Sequence, residues 1–482
     1  MIIGCEREIK KLNALYESGS AELIALYGRR GVGKTFLVNE TFGDRICFRH
    51  AGLSPLAGSI GEKSGKNRMK DQLMHFHHSL KAFGGDSRKP ESWLEAFYAL
   101  EDFLSKKYGN DQRILVFIDE IQWLDSPRAG FMTGFEAFWN GWACHKKNIM
   151  VIVCGSSSSW MLDNLVNNHG GLYGRITYEM KILPFSLGEC EKYFRSEGIL
   201  MSRYDITAAY MAVGGIPYYL RYFDRELSLS GNIDRMFFAE TAPLKDEFDR
   251  MFSALFRDAE DMKLIVKALA GKSRGLTRAE LIEVTGIPDS GDLSKKLRAL
   301  LAGDFIISYS SFGDSKRHTR YKLFDPYCIF YLRVIDTSRK ERNTDWISME
   351  SSHQVTAWRD LAFENVCWNH FGKIKEALGI GGVSTTESLW SERGCENEYG
   401  TQTDLVIERK DNVVHLCEMK FLGDEFEADR DYHLALERRK NLLSGSVSRK
   451  TVIHNTLITA CGLKKTQHFS DFVHVLTLDD LF

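Results

Sequence analysis

Eight consecutive residues constrain this 482-residue chain more than any other feature. They match the pattern G-x-x-x-x-G-K-[ST] and read Gly28-Arg29-Arg30-Gly31-Val32-Gly33-Lys34-Thr35. The apolar run from Leu23 to Tyr27 predicts a buried strand before them, and Phe36 to Glu40 begins a predicted helix. A glycine-rich turn between a strand and a helix presents backbone N–H groups to an anion. The stretch therefore predicts a phosphate-binding loop, and its flanks argue against a chance glycine turn.

Two side chains of this loop carry specific chemistry. Lys34 is predicted to reach the terminal phosphates of a nucleotide, and the Thr35 hydroxyl is predicted to hold Mg²⁺. The glycines permit close approach of the backbone to the phosphates. We therefore expect ATP and Mg²⁺ as ligands, with residues 28–35 around the phosphates.

The bulk composition is that of a globular protein. Apolar residues make up 44% of the chain and charged residues 27%. At this length one core is not enough, so several domains are expected. The formal net charge of -2 argues against a protein coated in nucleic acid, although it leaves room for a local basic patch.

The cysteines and the apolar runs indicate the compartment. Ten cysteines are scattered without a C-x-x-C pair, which favours a reducing compartment and makes zinc unexpected. The cluster His75-Phe76-His77-His78 is predicted to be an ordinary helix face rather than a metal site. The N-terminus lacks an apolar signal region, and no run of about 18 apolar residues occurs. We expect a cytoplasmic protein without a membrane span.

A second strand signal ends in two acids. The apolar run Ile114 to Ile118 is followed by Asp119 and Glu120, as in a Walker B strand. Ligands of open α/β sheets bind at the carboxyl ends of the strands, so these acids are expected beside the loop. Asp119 is predicted to support the Mg²⁺ shell and Glu120 to polarise the attacking water. A buried strand that merely ends in acids at a turn is the alternative.

Two further residues are candidates for the reacting phosphate. Ser156 follows a third predicted strand, Met150 to Cys154, and either contacts the γ-phosphate or caps a helix. Arg175 follows a glycine-rich turn. It either neutralises transition-state charge, in cis or from a neighbouring subunit, or forms a surface or lid ion pair. Action from a neighbouring subunit would require a homo-oligomer.

These segments, together with Leu183-Pro184-Phe185-Ser186-Leu187, resemble the AAA+-related prokaryotic ATPases of the archaeal type, which group near the STAND signalling NTPases. The segment Gly214 to Leu220 resembles the Gly-x-Pro segment of that group. The resemblance implies a helical lid in which Pro217 lies near the nucleotide base. From the residues alone, the same segment is a helix break made by Gly and Pro.

The middle of the chain predicts a winged helix. Three helices are expected at 261–270, from Thr277 and at 292–301, and a hairpin at 305–324 with a basic tip, Ser315-Lys316-Arg317-His318. Two interpretations stay open. The third helix, with Lys295, Lys296 and Arg298, and the wing could contact DNA. Alternatively, the element is a lid or a docking surface.

The C-terminal part carries an acid and lysine pattern. Predicted strands at 403–408 and 413–420 place Asp404 on one strand and Glu418 and Lys420 on the same face of the next. This arrangement resembles the PD-(D/E)xK nucleases, with Trp390 before the motif and Thr403 where a proline is usual. Two carboxylates can bind Mg²⁺, and the lysine can activate water or offset phosphate charge. Glu364, on a preceding helix, could complete the acid set.

The predicted fold is therefore an α/β P-loop NTPase (AAA+-like) parallel sheet with a helical lid, a winged helix and a C-terminal α/β restriction-endonuclease-like domain. The domain bounds expected are 1–190, 191–258, 259–335 and 350–482, with a polar linker at 336–352. The predicted function is ATP binding and hydrolysis that controls a DNA-directed, Mg²⁺-dependent nuclease module. The alternative is a STAND-type signalling switch whose inactive tail binds a partner.

Overall fold

The computed structural model describes residues 3–54, 65–126, 128–167, 170–256, 258–313, 319–341, 345–392 and 401–482. The chain divides into two compact units. The first comprises residues 1–184 and 250–259, and the second comprises residues 185–249 and 260–482. The lid, the winged helix and the C-terminal domain predicted from the sequence thus fall largely within one unit, and their separate bounds stay predictions.

The first unit is built on a parallel sheet. Its strands are β1 (Glu22–Tyr27), β2 (Ile46–Ala51), β3 (Ile114–Asp119), β4 (Ile149–Gly155) and β5 (Tyr178–Lys181). Its helices are α1 (Glu6–Tyr16), α2 (Lys34–Phe42), α3 (Gly65–Ala82), α4 (Trp93–Lys107), α5 (Phe131–Gly141) and α6 (Ser158–Met161). The strand order is β2-β3-β4-β1-β5, and every pair is parallel. The predicted strands β1, β3 and β4 are confirmed, and the histidines 75, 77 and 78 lie on α3.

Both faces of this sheet are covered, which explains the uninterrupted apolar runs of its strands. On one face, Ile24 and Phe117 pack with α1 and α2 through residues such as Leu12 and Leu37. On the other face, Leu23 and Val116 pack with the aromatic residues of α3, α4 and α5. Successive strand residues alternate between the two cores because side chains point to opposite faces.

The second unit is mainly helical, with a five-stranded sheet at its C-terminal end. Its helices are α7 (Leu187–Ser196), α8 (Arg203–Val213), α9 (Pro217–Leu220), α10 (Leu229–Phe237), α13 (Arg278–Thr285), α14 (Gly291–Ala302), α15 (Pro326–Phe330), α16 (Asp336–Glu341), α17 (His353–Asn369), α18 (Phe371–Ala377) and α19 (Arg430–Ser444). Two helices cross the boundary between the units, α11 (Glu247–Leu255) and α12 (Ala259–Ala270). Among the described residues, no helix has the length and apolar content that a membrane crossing needs.

The region predicted as a winged helix has three helices followed by a hairpin. The helices are α12, α13 and α14, and α13 begins with the expected capping box between Thr277 and Glu280. Strands β6 (Leu276–Thr277), β7 (Ile306–Tyr309) and β8 (Arg320–Leu323) form an antiparallel sheet in the order β6-β8-β7. The basic tip at 315–318 lies outside the described residues. The elements are confirmed, whereas the fold name stays a prediction.

The predicted linker at 336–352 is wrong for its described part. Residues 336–341 form α16, and Trp346 is buried. The Trp346 ring lies 5.6 Å from that of Phe330 and 6.1 Å from that of Trp358. The segment is polar on average, but Trp346 and Met349 are enough to anchor it to the core.

The C-terminal sheet mixes antiparallel and parallel pairs. Its strands are β9 (Thr385–Glu392), β10 (Thr401–Arg409), β11 (Val413–Lys420), β12 (Val452–Thr459) and β13 (His474–Leu476), in the order β13-β12-β11-β10-β9. β9, β10 and β11 pair antiparallel, and β12 pairs parallel with β11 and with β13. Parallel pairing of β11 and β12 requires a crossover, which α19 supplies. The predicted strands around Asp404 and Glu418 are confirmed.

Candidate nucleotide site and acidic cluster

The loop at 28–35 connects the buried strand β1 to α2 with backbone geometry that glycine permits. Gly28 has a φ of 149°, and a Cβ there would lie 2.2 Å from the carbonyl oxygen of Ile182. Gly33, with a φ of 95°, is the N-cap of α2. These positions explain why the motif needs glycine, because a side chain would clash at one and strain the other. The loop thus delivers the N-terminus of α2 to an anion.

Lys34 lies folded into the loop. Its side chain is buried, and Nζ donates to the carbonyl oxygens of Gly28, at 2.9 Å, and Arg29, at 2.8 Å. The Lys34 ammonium can exchange one of these carbonyl oxygens for a phosphate oxygen. A charged phosphate oxygen accepts a stronger hydrogen bond from the ammonium than a neutral carbonyl does.

The two arginines of the loop differ. Arg30 is exposed, whereas Arg29 is buried and its Nη2 lies 3.4 Å from Sδ of Met251. The Arg29 side chain therefore packs inside the first unit, and the backbone is what it can offer to phosphates.

Thr35 and Asp119 meet at the carboxyl edge of the sheet, as the sequence predicted. The Thr35 hydroxyl donates to Asp119 Oδ2 at 2.7 Å, and the backbone N–H of Glu120 donates to Asp119 Oδ1 at 2.9 Å. Burial and, to a smaller extent, the charge of Glu120 raise the pKa of Asp119, while the bond from Thr35 lowers it. A nearby cation would relieve this penalty. These adjacent oxygens are of the type that Mg²⁺ binds.

Glu120 is held by two polar neighbours. Its Oε2 accepts a hydrogen bond from the Ser156 hydroxyl at 2.7 Å and another from Gln122 Nε2. The same Gln122 nitrogen lies 3.1 Å from the Ser156 oxygen, which closes a triangle of side chains. Glu120 has a φ of 47°, a strained conformation of the kind that clusters at functional sites. No sequence pattern indicates Gln122, because only the turn after β3 brings its side chain back to Glu120.

Ser156 thus has a definite partner, Glu120, and its contact with the γ-phosphate stays a prediction.

Arg175 lies exposed in the turn at 170–175, and its side chain makes no hydrogen bond or ion pair with the described residues. Pro217 begins α9 in the second unit, just after Gly215, whose carbonyl accepts from the N–H of Phe185 at 2.6 Å. The roles of Arg175 and Pro217 stay predictions.

Comparison with known proteins agrees with this geometry. Residues 5–223 match the model of a family described as an ATPase domain predominantly from Archaea. The matched residues contain the whole arrangement of Lys34, Thr35, Asp119, Glu120 and Ser156. The chain carries an archaeal-type P-loop ATPase domain. It is therefore an ATPase, and it binds and hydrolyses ATP.

Individual relatives of this ATPase are distant. An uncharacterized protein of Methanocaldococcus jannaschii is 27% identical over 348 residues, which are 70% of this chain and 69% of the relative. The Walker-type ATPase PABY2304 of Pyrococcus abyssi is 22% identical, with a TM-score of 0.49 over 69% of this chain and 96% of the other. The ORC2 protein of Aeropyrum pernix is 13% identical, with a TM-score of 0.42 over 71% and 95%. Because both TM-scores lie below 0.5, the ATPase assignment rests on the domain match and on the loop.

The second unit of this ATPase contains a cluster of acids, which we call the acidic cluster: Asp360, Glu364, Asp404 and Glu418. Asp404 lies where the pairing of β10 with β9 shifts register, and its Oδ2 accepts from the Met419 N–H at 3.0 Å. That bond ties Asp404 to β11 beside Glu418. Lys420 Nζ lies 4.0 Å from Glu418 Oε2, so the three residues of the predicted motif converge.

Glu418 is buried, and its carboxylate has three neighbours that are positively charged or donate a hydrogen bond: Arg439, Tyr432 and Lys420. Arg439 of α19 donates to its Oε1, and the Tyr432 hydroxyl donates to Oε2 at 2.9 Å. Burial and the charge of Asp404 raise the pKa of Glu418 to about 7, although Arg439, Lys420 and the Tyr432 hydroxyl act in the opposite direction. A carboxyl in this state lacks enough positive charge around it, which is the condition that a divalent cation would relieve.

Glu364 has a partner that the sequence did not reveal. Lys322 of β8 is buried, and its Nζ lies 2.9 Å from Glu364 Oε2. Burial raises the pKa of Glu364, the charge of Lys322 lowers it, and that of Asp404 raises it. Glu364 is therefore near Asp404 but already paired, and its role as a metal ligand stays a prediction.

Sequence reasoning also missed Asp360, one turn before Glu364 on α17. Burial raises its pKa, Lys420 lowers it and Asp404 raises it, which places all three charges in one electrostatic neighbourhood. The helical spacing of four between 360 and 364 was the available signal.

Two basic residues of the predicted winged helix, Lys296 and Arg320, are engaged within the protein. Lys296 is buried, with Nζ 3.1 Å from Asp261 Oδ2 and a second ion pair to Asp292. Arg320 lies 3.3 Å from Glu280 Oε2. Lys295 and Arg298 are exposed on α14. The helical period alone predicts this split, because residues 295 and 296 differ by 100° around the helix.

Proposed function

We propose that this ATPase uses its nucleotide state to control a DNA-directed, Mg²⁺-dependent nuclease module formed by the C-terminal residues 350–482. The observation that carries the proposal is the convergence of Asp404, Glu418 and Lys420. A pair of carboxylates at one point costs stability, because burial and the charge of Asp404 both oppose the charge of Glu418. Functional sites are where such arrangements cluster.

In the ATPase unit, each predicted residue has a role consistent with its position. The N–H groups of residues 28–35 and the Lys34 ammonium bind the phosphates. Thr35 and Asp119 hold Mg²⁺, which offsets phosphate charge when it is bound. Glu120 polarises the attacking water, and Ser156 and Gln122 keep its carboxylate in one orientation. Arg175 adds positive charge, in cis or from a second subunit.

In the acidic cluster, Asp404 and Glu418 would hold the divalent ion, and Lys420 would orient the attacking water. The donor set fits Mg²⁺, since it consists of carboxylate oxygens. Asp404 Oδ1 makes no hydrogen bond with the described residues, so this oxygen can bind the ion without losing a partner. A bound divalent ion supplies charge that stabilises a developing phosphate anion. Glu364 can join the set when Lys322 releases it.

DNA would reach this module along exposed positive side chains. Lys295 and Arg298 of α14 are available, and the tip at 315–318 carries more positive charge in the sequence. Lys296 and Arg320 do not belong to this surface, because their acids already neutralise them.

A second candidate function is a STAND-type signalling ATPase with an inactive tail that binds a partner protein. One observation favours it. Arg439 and Tyr432 occupy both oxygens of Glu418, so the cluster already has an internal cation. If Arg439 does not yield to a divalent ion, the nuclease chemistry has no site.

The deciding experiment uses the full-length protein with Mg²⁺ or Mn²⁺, with and without ATP, on linear, nicked and branched DNA. We expect cleavage that depends on the nucleotide and is lost in Asp404→Asn and Lys420→Ala. The matched controls are Glu408→Gln and Lys410→Ala, which change exposed residues of the same hairpin. Mg²⁺ should raise the melting temperature of the second unit in wild type and in Lys420→Ala, but not in Asp404→Asn.

Two outcomes would contradict this proposal. If the wild-type protein neither cuts any of these substrates nor gains thermal stability from metal, the nuclease proposal is wrong. The STAND-type signalling function is then the remaining candidate. Cleavage that survives Asp404→Asn would place the activity elsewhere.

A further inference from the structure

Three histidines lie side by side on the C-terminal sheet. We call them the histidine triad: His415 on β11, His454 on β12 and His474 on β13. His415 and His454 are direct partners in the parallel register, and His474 is paired with Thr456, two residues beyond His454. Since side chains alternate along a strand, this register puts all three imidazoles on one face of the sheet.

The three rings form a nearly equilateral triangle. The centroids of His415 and His454 are 5.4 Å apart, those of His415 and His474 are 5.4 Å apart, and those of His454 and His474 are 5.6 Å apart. One ring nitrogen from each lies within 4.8 Å of the others. Small side-chain rotations would place one nitrogen of each ring at the metal–nitrogen distance of roughly 2.0–2.1 Å that a shared zinc-class ion requires.

The triad is separate from the acidic cluster. His415 and Glu418 are three positions apart on β11, so their side chains point to opposite faces of the sheet. The ligand chemistry also differs, because imidazole nitrogens suit zinc, cobalt, nickel and copper, whereas carboxylates suit Mg²⁺. The two sites can therefore be loaded and tested independently.

His415 is oriented as a ligand would be. Its Nδ1 lies 3.1 Å from the hydroxyl oxygen of the buried Thr456. A ring N–H held in this way by an outer partner fixes the tautomer and leaves Nε2 as an acceptor. Nδ1 of His454 is buried and has no hydrogen-bond partner among the described residues. Burial is the largest cause that lowers the pKa of all three imidazoles.

One neighbouring cation acts against a metal ion at this position. Arg409 Nη1 lies 3.4 Å from His415 Nε2, and the same guanidinium is paired with Asp411, with Nε 2.8 Å from Oδ1. A metal on Nε2 would displace Arg409 toward Asp411, which neutralises it. Arg409 is therefore a competitor for His415, and its removal should strengthen metal binding.

We propose that His415, His454 and His474 bind a divalent transition metal of the zinc class, with the remaining coordination position open. Three protein ligands and an open position are the pattern of exchangeable rather than closed structural zinc sites. The histidines are far apart in the sequence and follow no ligand-spacing motif, so only the strand register reveals them.

The test measures Zn²⁺ binding to the chelator-treated full chain by equilibrium dialysis, and Co²⁺ binding by visible absorption. Wild type should bind one equivalent of Zn²⁺ at the triad and should show a Co²⁺ absorption band. His454→Ala and His474→Gln should lose both this equivalent and this band. Exposed His353→Ala and Asp404→Asn are the matched controls and should keep it. A second possible metal-binding group consists of His433, His468 and Asp471. The variant His468→Ala tests this group, and it should retain the equivalent of Zn²⁺ that the triad binds.

Two milder variants separate metal binding from a structural role. Thr456→Val preserves shape but removes the partner of His415, and it should weaken Zn²⁺ binding about 10–100-fold. Arg409→Gln should bind Zn²⁺ more tightly than wild type. Equal Zn²⁺ binding by wild type and His474→Gln would overturn the proposal, as would an Arg409→Gln protein whose affinity is unchanged or weaker. Circular dichroism of each variant confirms that the fold is retained.

Discussion

The phosphate-binding loop and the acidic cluster gather functional groups by different routes. The loop uses eight consecutive residues, and its backbone turns place Lys34 and Thr35 in position. The cluster takes Glu364 from α17, Asp404 from β10 and Glu418 from β11, and its neighbours Lys322 and Arg439 come from β8 and α19. A contiguous site carries its geometry with it, whereas a converged site exists only when distant elements pack correctly.

The two sites also differ in how they hold their buried acids. Asp119 accepts bonds from Thr35 and from a backbone N–H, and no arginine or lysine lies among the causes of its pKa shift. Glu418 is paired directly with Arg439. The negative charge of Asp119 is therefore left for a bound cation to neutralise. The negative charge of Glu418 is already partly neutralised by Arg439.

The largest effect is expected at the loop, in Lys34→Ala. Each charge-assisted bond that Lys34 gives a phosphate is worth about 1.5–3 kcal/mol, so ATP affinity should fall roughly tenfold to a hundredfold. Hydrolysis should be abolished, because phosphoryl charge grows in the transition state. Steady-state ATPase assays and nucleotide binding check this, with the exposed Lys10→Ala as the control. A mutant with the wild-type rate would remove the loop from the mechanism.

The second effect concerns Glu120 and the side chains that orient it. Glu120→Gln should retain ATP and lose about 10²–10⁴-fold in single-turnover hydrolysis, because the amide cannot accept the proton of the attacking water. Ser156→Ala should also retain ATP, but with a smaller loss, since Gln122 still holds the carboxylate. Ser157→Ala, whose side chain makes no cap bond, is the control. Loss of ATP affinity without loss of chemistry would reassign the catalytic role to Asp119.

The third effect tests whether Arg439 substitutes for a metal ion in the cluster. Arg439→Gln breaks a buried ion pair and should destabilise the second unit by up to about 3–5 kcal/mol. Arg439 lowers the pKa of Glu418, so the folded-state pKa should rise further without it. The cost should therefore be smaller at pH 6, where Glu418 takes up a proton, and larger at pH 8.

Urea unfolding at these two pH values, with and without Mg²⁺, measures the effect of Arg439→Gln. Under the nuclease proposal, Mg²⁺ restores more stability to the variant than it adds to wild type. Under the signalling alternative, Mg²⁺ has no effect on either protein. Arg438→Gln, which changes the neighbouring arginine of α19, is the matched control.

The smallest effect is a pH dependence that each unit should show through one buried histidine. In the second unit, His370 Nε2 accepts from the Leu187 N–H at 2.9 Å, and burial lowers its pKa to about 4. In the first unit, burial lowers the pKa of His50 to about 3. In both, the unfolded state binds the proton first, so stability is complete above the unfolded pKa of 6.5 and is lost as pH falls toward the folded value.

Between pH 7 and pH 5, His370 should account for a loss of about 2 kcal/mol. His370→Gln should remove this slope from the unfolding transition of the second unit, and His50→Gln should do the same for the first unit. A slope that persists unchanged in both variants would assign the acid sensitivity to other groups.

The sequence predicted the loop and strand positions well because those signals are local. Strand β3 ends in Asp119 where the apolar run ends, and α13 begins where Thr277 and Glu280 form their capping box. It failed at the linker because the average polarity of the segment hid its two buried anchors, Trp346 and Met349. It could not find Gln122, Lys322 or Arg439, since each acquires its role from a partner on another element.

The P-loop ATPase domain can be identified from the amino-acid sequence, because the pattern at 28–35 and the apolar strands around it depend on neighbours along the chain. The surroundings of the converged groups become visible only in the folded protein. The pairing of Glu418 with Arg439, and the register that aligns His415, His454 and His474, depend on strands and helices that are distant in sequence. Burial and charge at those points are properties of packing, and no local pattern encodes them.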